Sequence, residues 1–146
     1  MHTRILLAAF AIAAFVPTAL SAAPAGWIVA KSKKGQCQAM VPGGWKPGFA
    51  GIGMDAPGGK ASALISGKDG SIALVKSTLP SVFKISKTYE DSASRYWVEY
   101  TGAMGNKRHW YVVTPAGSGI CTVVLDFDSS LSEADAKSIA TSLTKY

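Results

Sequence analysis

Cys37 and Cys121 are the only cysteines in a chain of 146 residues, and they lie 84 positions apart. What they do depends on the compartment, and the amino terminus bears on that. Met1–Arg4 is basic, Ile5–Val16 is an unbroken apolar run, and residues 17–25 are rich in small side chains, the three-part layout of a secretory signal peptide. The run is shorter than the roughly 20 apolar residues needed to cross a bilayer. Residues 1–22 are therefore expected to be a cleaved leader, with cuts after Ser21, Ala22 or Ala25 all compatible with the small-residue rule. No cysteine sits at any of these cuts, so nothing supports a lipid anchor. Outside the cytosol, two cysteines in one small domain most simply form one disulfide, and Cys37–Cys121 is the predicted bond. Closing so long a loop is worth about 4–5 kcal/mol in the chain-entropy model. The spacing makes no C-x-x-C redox motif, and with His109 the single histidine after the leader there is no dense zinc-ligand cluster. The bond reads as a staple rather than a catalyst.

The length suits one domain, residues 26–146. With 48% hydrophobic and only 16% charged residues the chain has enough apolar material for a core, which excludes wholesale disorder. The net charge of +6 is unevenly spread: residues 26–88 hold nine lysines against Asp55 and Asp69, whereas residues 89–146 are slightly acidic. A basic half attracts anionic lipids, polysaccharides or an acidic protein. The plainer reading is a solvated lysine surface, since only Lys31, Lys33 and Lys34 are clustered. Nucleic acid is not an expected partner: the basic excess is modest, no reading motif is present, and export removes most targets. No later segment is long and apolar enough to span a membrane, so the mature product is expected to be soluble.

Trp27–Lys31 and Gln36–Val41 read as strands joined by the turn Ser32, Lys33, Lys34, Gly35. Residues 42–60 are so rich in glycine and proline that regular structure should be sparse, and a loop of that length tends to be functional or mobile. Ala61–Ser66 is a further candidate strand. Ile72, Val75 and Leu79 fall at helical spacing, which predicts a helix over 71–79 that Pro80 ends or bends. Lys84–Glu90, Ser94–Thr101, His109–Pro115 and Ile120–Phe127 are rich in β-branched and aromatic residues and predict an antiparallel meander. Ser132 to Asp135 matches a capping box, Leu131 and Ala136 stand at staple positions, and Ala136, Ile139, Ala140 and Leu143 make one apolar stripe. The expected class is α+β, an antiparallel meander with the carboxy-terminal helix on one face and the short helix on the other.

Alternation along the strands assigns residues to the two faces of the sheet. A turn at Ala116–Gly119 puts Trp110 opposite Leu125, Val112 opposite Val123 and Thr114 opposite Cys121. Carrying the register through the 102–108 loop adds Tyr96, Val98 and Tyr100 to that face, under the terminal helix. Arg95, Trp97, Glu99, His109, Tyr111 and Asp126 then share the other face. A slip of one residue exchanges the two, and a seven-residue loop does not hold register. That second face is either an amphipathic binding surface, with Trp97 and Tyr111 against an apolar or ring-shaped ligand, or a face covered by the 71–79 helix and the glycine-rich loop, with the charges at the rim. Covering is favoured because Trp and Tyr usually bury most of their area. His109 beside Asp126 is the base-and-orienter half of a triad, but no nucleophile turn or oxyanion loop accompanies it. No catalytic, cofactor or metal residue is therefore assigned.

A strand ending in Val41, Pro42, a glycine pair and Trp45, followed by a helix, an antiparallel meander and a closing helix, resembles the PsbP-like α/β/α sandwich, a group that includes small exported bacterial proteins. Its members are mostly non-catalytic binding or assembly factors, so the resemblance implies a partner-binding role. The metal sites of some members are not expected here, as no matching ligand cluster is present. Two functions follow. One is an exported, periplasmic or secreted module that binds a protein or anionic envelope component through Lys31, Lys33, Lys34, Trp45, Lys46 and Phe49, with Trp45 and Phe49 equally able to pin the loop to the core. The other is a small ligand-binding protein or hydrolase on the His109 and Asp126 face.

Overall fold

The computed structural model describes residues 24–33, 36–102 and 105–146. The predicted leader, with Lys34 and Gly35 of the first turn, lies outside them. Two antiparallel sheets and two helices form three layers. The larger sheet has seven strands in the order β3-β4-β5-β9-β8-β7-β6: β3 Lys46–Pro47, β4 Met54–Asp55, β5 Ala61–Asp69, β6 Lys84–Asp91, β7 Tyr96–Thr101, β8 Arg108–Ala116 and β9 Gly119–Phe127. The smaller has the order β1-β2-β10, from β1 Trp27–Lys31, β2 Cys37–Pro42 and β10 Thr144–Lys145. This is the α+β class that the sequence indicates.

Helix α1, Ile72–Val82, connects β5 to β6 and so crosses the three strands that separate them. It buries Val75 and Leu79 against Tyr96, Val98, Tyr100, Tyr111 and Val113. Ser71 caps it by accepting the Leu74 amide at 3.2 Å. The helix runs three residues past the expected end at Leu79. Pro80 removes one donor, but its fixed φ suits a helix, and the buried Leu79 and the contact of Phe83 with Tyr100, 4.3 Å between ring centroids, hold the last turn down.

Helix α2, Glu133–Ser142, lies on the opposite face, beside the smaller sheet. Ser132 caps it, accepting the Asp135 amide at 3.0 Å. Ala136, Ile139 and Ala140 pack with Trp97, Trp110, Val112, Leu125 and Phe127 in the larger core. Here the disulfide joins Cys37 of β2 to Cys121 of β9, with Cα atoms 5.6 Å apart. It ties the smaller sheet to an inner strand of the larger one.

The β8–β9 register matches the reading from alternation, Trp110 facing Leu125, Val112 facing Val123 and Thr114 facing Cys121. The β7–β8 register is one residue away from the expected one. Val98 pairs with Tyr111 and Glu99 with Trp110, so Tyr96, Val98 and Tyr100 lie under α1, while Arg95, Trp97 and Glu99 belong to the α2 side. The alternative face of Arg95, Trp97, Glu99, His109, Tyr111 and Asp126 is therefore split between the two sides of the sheet. Both sides are covered by a helix and both are apolar, so alternation carries no signal that distinguishes them.

Candidate functional site

The glycine-rich stretch is folded rather than loose. The Trp45 side chain is only 6% exposed and packs into the larger core. From that anchor β3 pairs with β4, and β4 with β5, so the segment extends the large sheet at its edge. Between β3 and β4 the chain turns tightly: Gly48 N–H donates to the Gly53 carbonyl at 3.1 Å, Gly51 N–H to Gly48 at 3.0 Å and Ile52 N–H to Phe49 at 3.1 Å. A Cβ on Gly48 would lie 2.5 Å from the Ile52 carbonyl oxygen, and one on Gly53, at φ +67°, would lie 2.6 Å from that of Ala63. The glycines thus serve a compact tip. Phe49 projects from it, 94% exposed, with Ile52 beside it at 54% and the exposed Lys46 at its base.

The residues expected to form one basic and aromatic surface are brought together only in part. Trp45, Lys46 and Phe49 follow β2, whereas Lys31 and Lys33 sit at its other end, a strand length of roughly 17 Å away. Lys31 instead stacks its ammonium 4.3 Å from the Tyr146 ring centroid. Lys34 lies outside the described residues. Of the loop aromatics, Trp45 pins the segment to the core and Phe49 does not.

On the α1 side, His109 and Asp126 are cross-strand neighbours. Nδ1 of His109 lies 2.6 Å from Asp126 Oδ1, and because a carboxylate accepts, Nδ1 donates. The imidazole stacks on Tyr100, 5.4 Å between centroids. Its Nε2, the atom that would take a proton from a nucleophile, is buried and has no hydrogen-bond partner. Backbone at Gly102 closes over it: a Cβ there would lie 2.0 Å from Nε2. Burial, with Asp126 and Tyr111 nearby, pushes Tyr100 up to about 12. A shallow cleft of about 700 Å³ lies elsewhere, lined by Ile72, Ala73, Lys76, Ser77, Asp91, Ser92 and Ala93. Among the described residues no three His, Cys, Asp or Glu side chains are grouped to hold a metal ion.

One cluster was not legible in the sequence. Glu99, on the α2 side, accepts from Arg108 Nε at 3.0 Å and Nη2 at 2.8 Å, from the Tyr89 hydroxyl at 2.6 Å and from Trp110 Nε1 at 3.1 Å. Arg108 also donates to Glu133 of α2 at 2.8 Å. Those hydrogen bonds, Arg108 first, hold the Glu99 carboxyl down at about 2. Desolvation and the same carboxylate raise Tyr89 to about 12. The donors come from β6 and β8, the two strands that flank Glu99 on β7, and the carboxylate oxygens are satisfied within the cluster, so it reads as a clamp between sheet and helix rather than an open site. Arg95 plays a similar part, bonding Glu90 and the Thr141 carbonyl at the end of α2, each at 3.2 Å, where a cation also suits the helix dipole.

No family model and no curated protein matches the sequence. Among solved structures the chain is similar to the solution structure of cyanobacterial PsbP (CyanoP) from Synechocystis sp. PCC 6803, with a TM-score of 0.52 and 12% identity over 86% of this chain and 96% of that one. No described helix is long and apolar enough to cross a membrane. The layer order, the two helices on opposite faces of an antiparallel sheet and this likeness agree: the chain has a PsbP-like fold.

Proposed function

We propose that the chain is an exported, non-enzymatic binding or assembly module of the periplasm or the exterior, contacting a protein or an anionic envelope component. The observation that carries this reading is Phe49, almost wholly exposed at the tip of a hydrogen-bonded turn that Trp45 anchors. Burying a side chain of that size is worth about 1.5–3 kcal/mol, and a turn already held in shape loses little further entropy when it is captured. Lys46 beside it and the lysine excess of residues 26–88 favour a target that is apolar with a negative rim. The leader-like amino terminus supports export, and the disulfide is in keeping with it. The hydrolase alternative needs an accessible base at His109, and the enclosure of Nε2 weighs against it.

The test uses the disulfide-bonded protein and its Phe49→Ser variant as baits for envelope extracts at low and high salt, with co-sedimentation on anionic vesicles in parallel. A specific target should be retained by the parent and depleted at least about tenfold by the variant, the vesicle arm separating lipid from protein. Equal retention by both baits, or no salt-sensitive retention at all, would remove the proposal.

A further inference from the structure

The outer strands of the two sheets are guarded unequally. Strand β6 has two register shifts and exposes Lys84 and Lys87. Strands β3 and β10 have two residues each, and β3 includes Pro47. Bulges, lysines, proline and shortness all discourage pairing with another chain. Strand β1 has none of these except its terminal Lys31: five residues in unbroken register with β2, no proline, and Ile28 and Val29 exposed at 39% and 49%.

One hydrogen bond to β2 sets its backbone phase. Ser32 N–H donates to the Cys37 carbonyl at 2.8 Å, so the alternate residues Ala30 and Ile28 spend their groups on β2, and Val29 and Lys31 direct theirs to the open edge. Trp27 N–H is already used by Pro24, at 3.2 Å, and its carbonyl remains.

We propose that β1 is a self-association edge, on which a second copy of this chain pairs its own β1 antiparallel about a two-fold axis at Val29. In that register Val29 faces Val29, Lys31 faces Trp27 and Ile28 faces Ala30. Val29 amide and carbonyl groups exchange hydrogen bonds, and each Lys31 N–H meets the Trp27 carbonyl that is free. Each Lys31 stands opposite the Trp27 of the other copy with its ammonium kept on Tyr146 of its own chain, and no like charges oppose one another. This register uses the open amide and carbonyl groups of Val29 and pairs the open Lys31 amide with the Trp27 carbonyl, and the one charge in the strand meets an uncharged residue, which is why the occupant is a second copy. The contact is smaller than the roughly 1,000 Å² of a tight interface, so the dimer is weak and depends on concentration.

Sedimentation velocity on the purified, disulfide-bonded protein should show reversible dimerisation between micromolar and about 1 mM concentration. Backbone amide shifts that change with concentration should centre on residues 27–31. Val29→Lys places two ammonium groups face to face and should weaken the dimer at least about tenfold with an unchanged near-ultraviolet spectrum, whereas Phe49→Ser should dimerise like the parent. A monomer across the whole range, shifts centred away from β1, or a folded Val29→Lys that dimerises undiminished would overturn the proposal. If Val29→Lys fails to fold, the shift map of the parent decides.

Discussion

Glu99 shows how a single side chain can reverse its expected role. In a strand of alternating residues a glutamate reads as solvent-facing, yet here four donors from Arg108, Tyr89 and Trp110 surround it. Its depressed pKa makes a definite statement about acid stability. A carboxyl that titrates at about 2 when folded and near 4.5 when unfolded stabilises the fold fully above the unfolded value, and that contribution is lost as pH falls toward 2. Urea denaturation followed from pH 7 to pH 2 should therefore show stability declining below about pH 5. Glu99→Ala should remove about 2–3 kcal/mol at neutral pH and flatten that decline. An unchanged acid profile in the variant would mean that other carboxyls govern it.

At the scale of elements, the caps and turns decide where helices begin and the core decides where they end. Ser71 and Ser132 each accept an amide three residues on, the second as its capping-box pattern indicates. Ser132→Ala should cost about 1 kcal/mol, read as a shift in the urea midpoint with unchanged slope. The cost should appear in global unfolding because α2 closes the larger core through Ala136, Ile139 and Ala140. Helix α1 goes the other way: Pro80 predicts a stop at Leu79, but packing of Leu79 and Phe83 carries the helix on. Register follows the same division. The short turn after β8 leaves only one pairing with β9, whereas the 102–108 loop leaves β7 free to take either, and the choice falls to α1 and α2.

For the whole molecule the disulfide is the long-range constraint, joining two sheets that no continuous ladder connects. Reducing it, or replacing Cys37 and Cys121 by alanine, should lower stability by about 4–5 kcal/mol, measured by urea denaturation with and without reductant. Because β2 carries the bond, amide exchange in β1 and β2 should accelerate before exchange in β8 and β9. Equal acceleration everywhere would mean that the two sheets unfold as one unit even without the link.

What could be read without a structure was local or covalent: the cysteine pairing, the capped helix at 133–142, the four strands after residue 84 and the pairing across the short β8–β9 turn. Each rests on neighbours in sequence, or on there being only two cysteines to pair. Tertiary structure alone decided that β5 lies against β9, that β2 leaves the large sheet for a second one, and that Glu99 and Trp97 face α2. These are choices among distant partners of similar apolarity, where the favoured arrangement depends on which surfaces fit together in three dimensions, and no stretch of residues carries that information by itself.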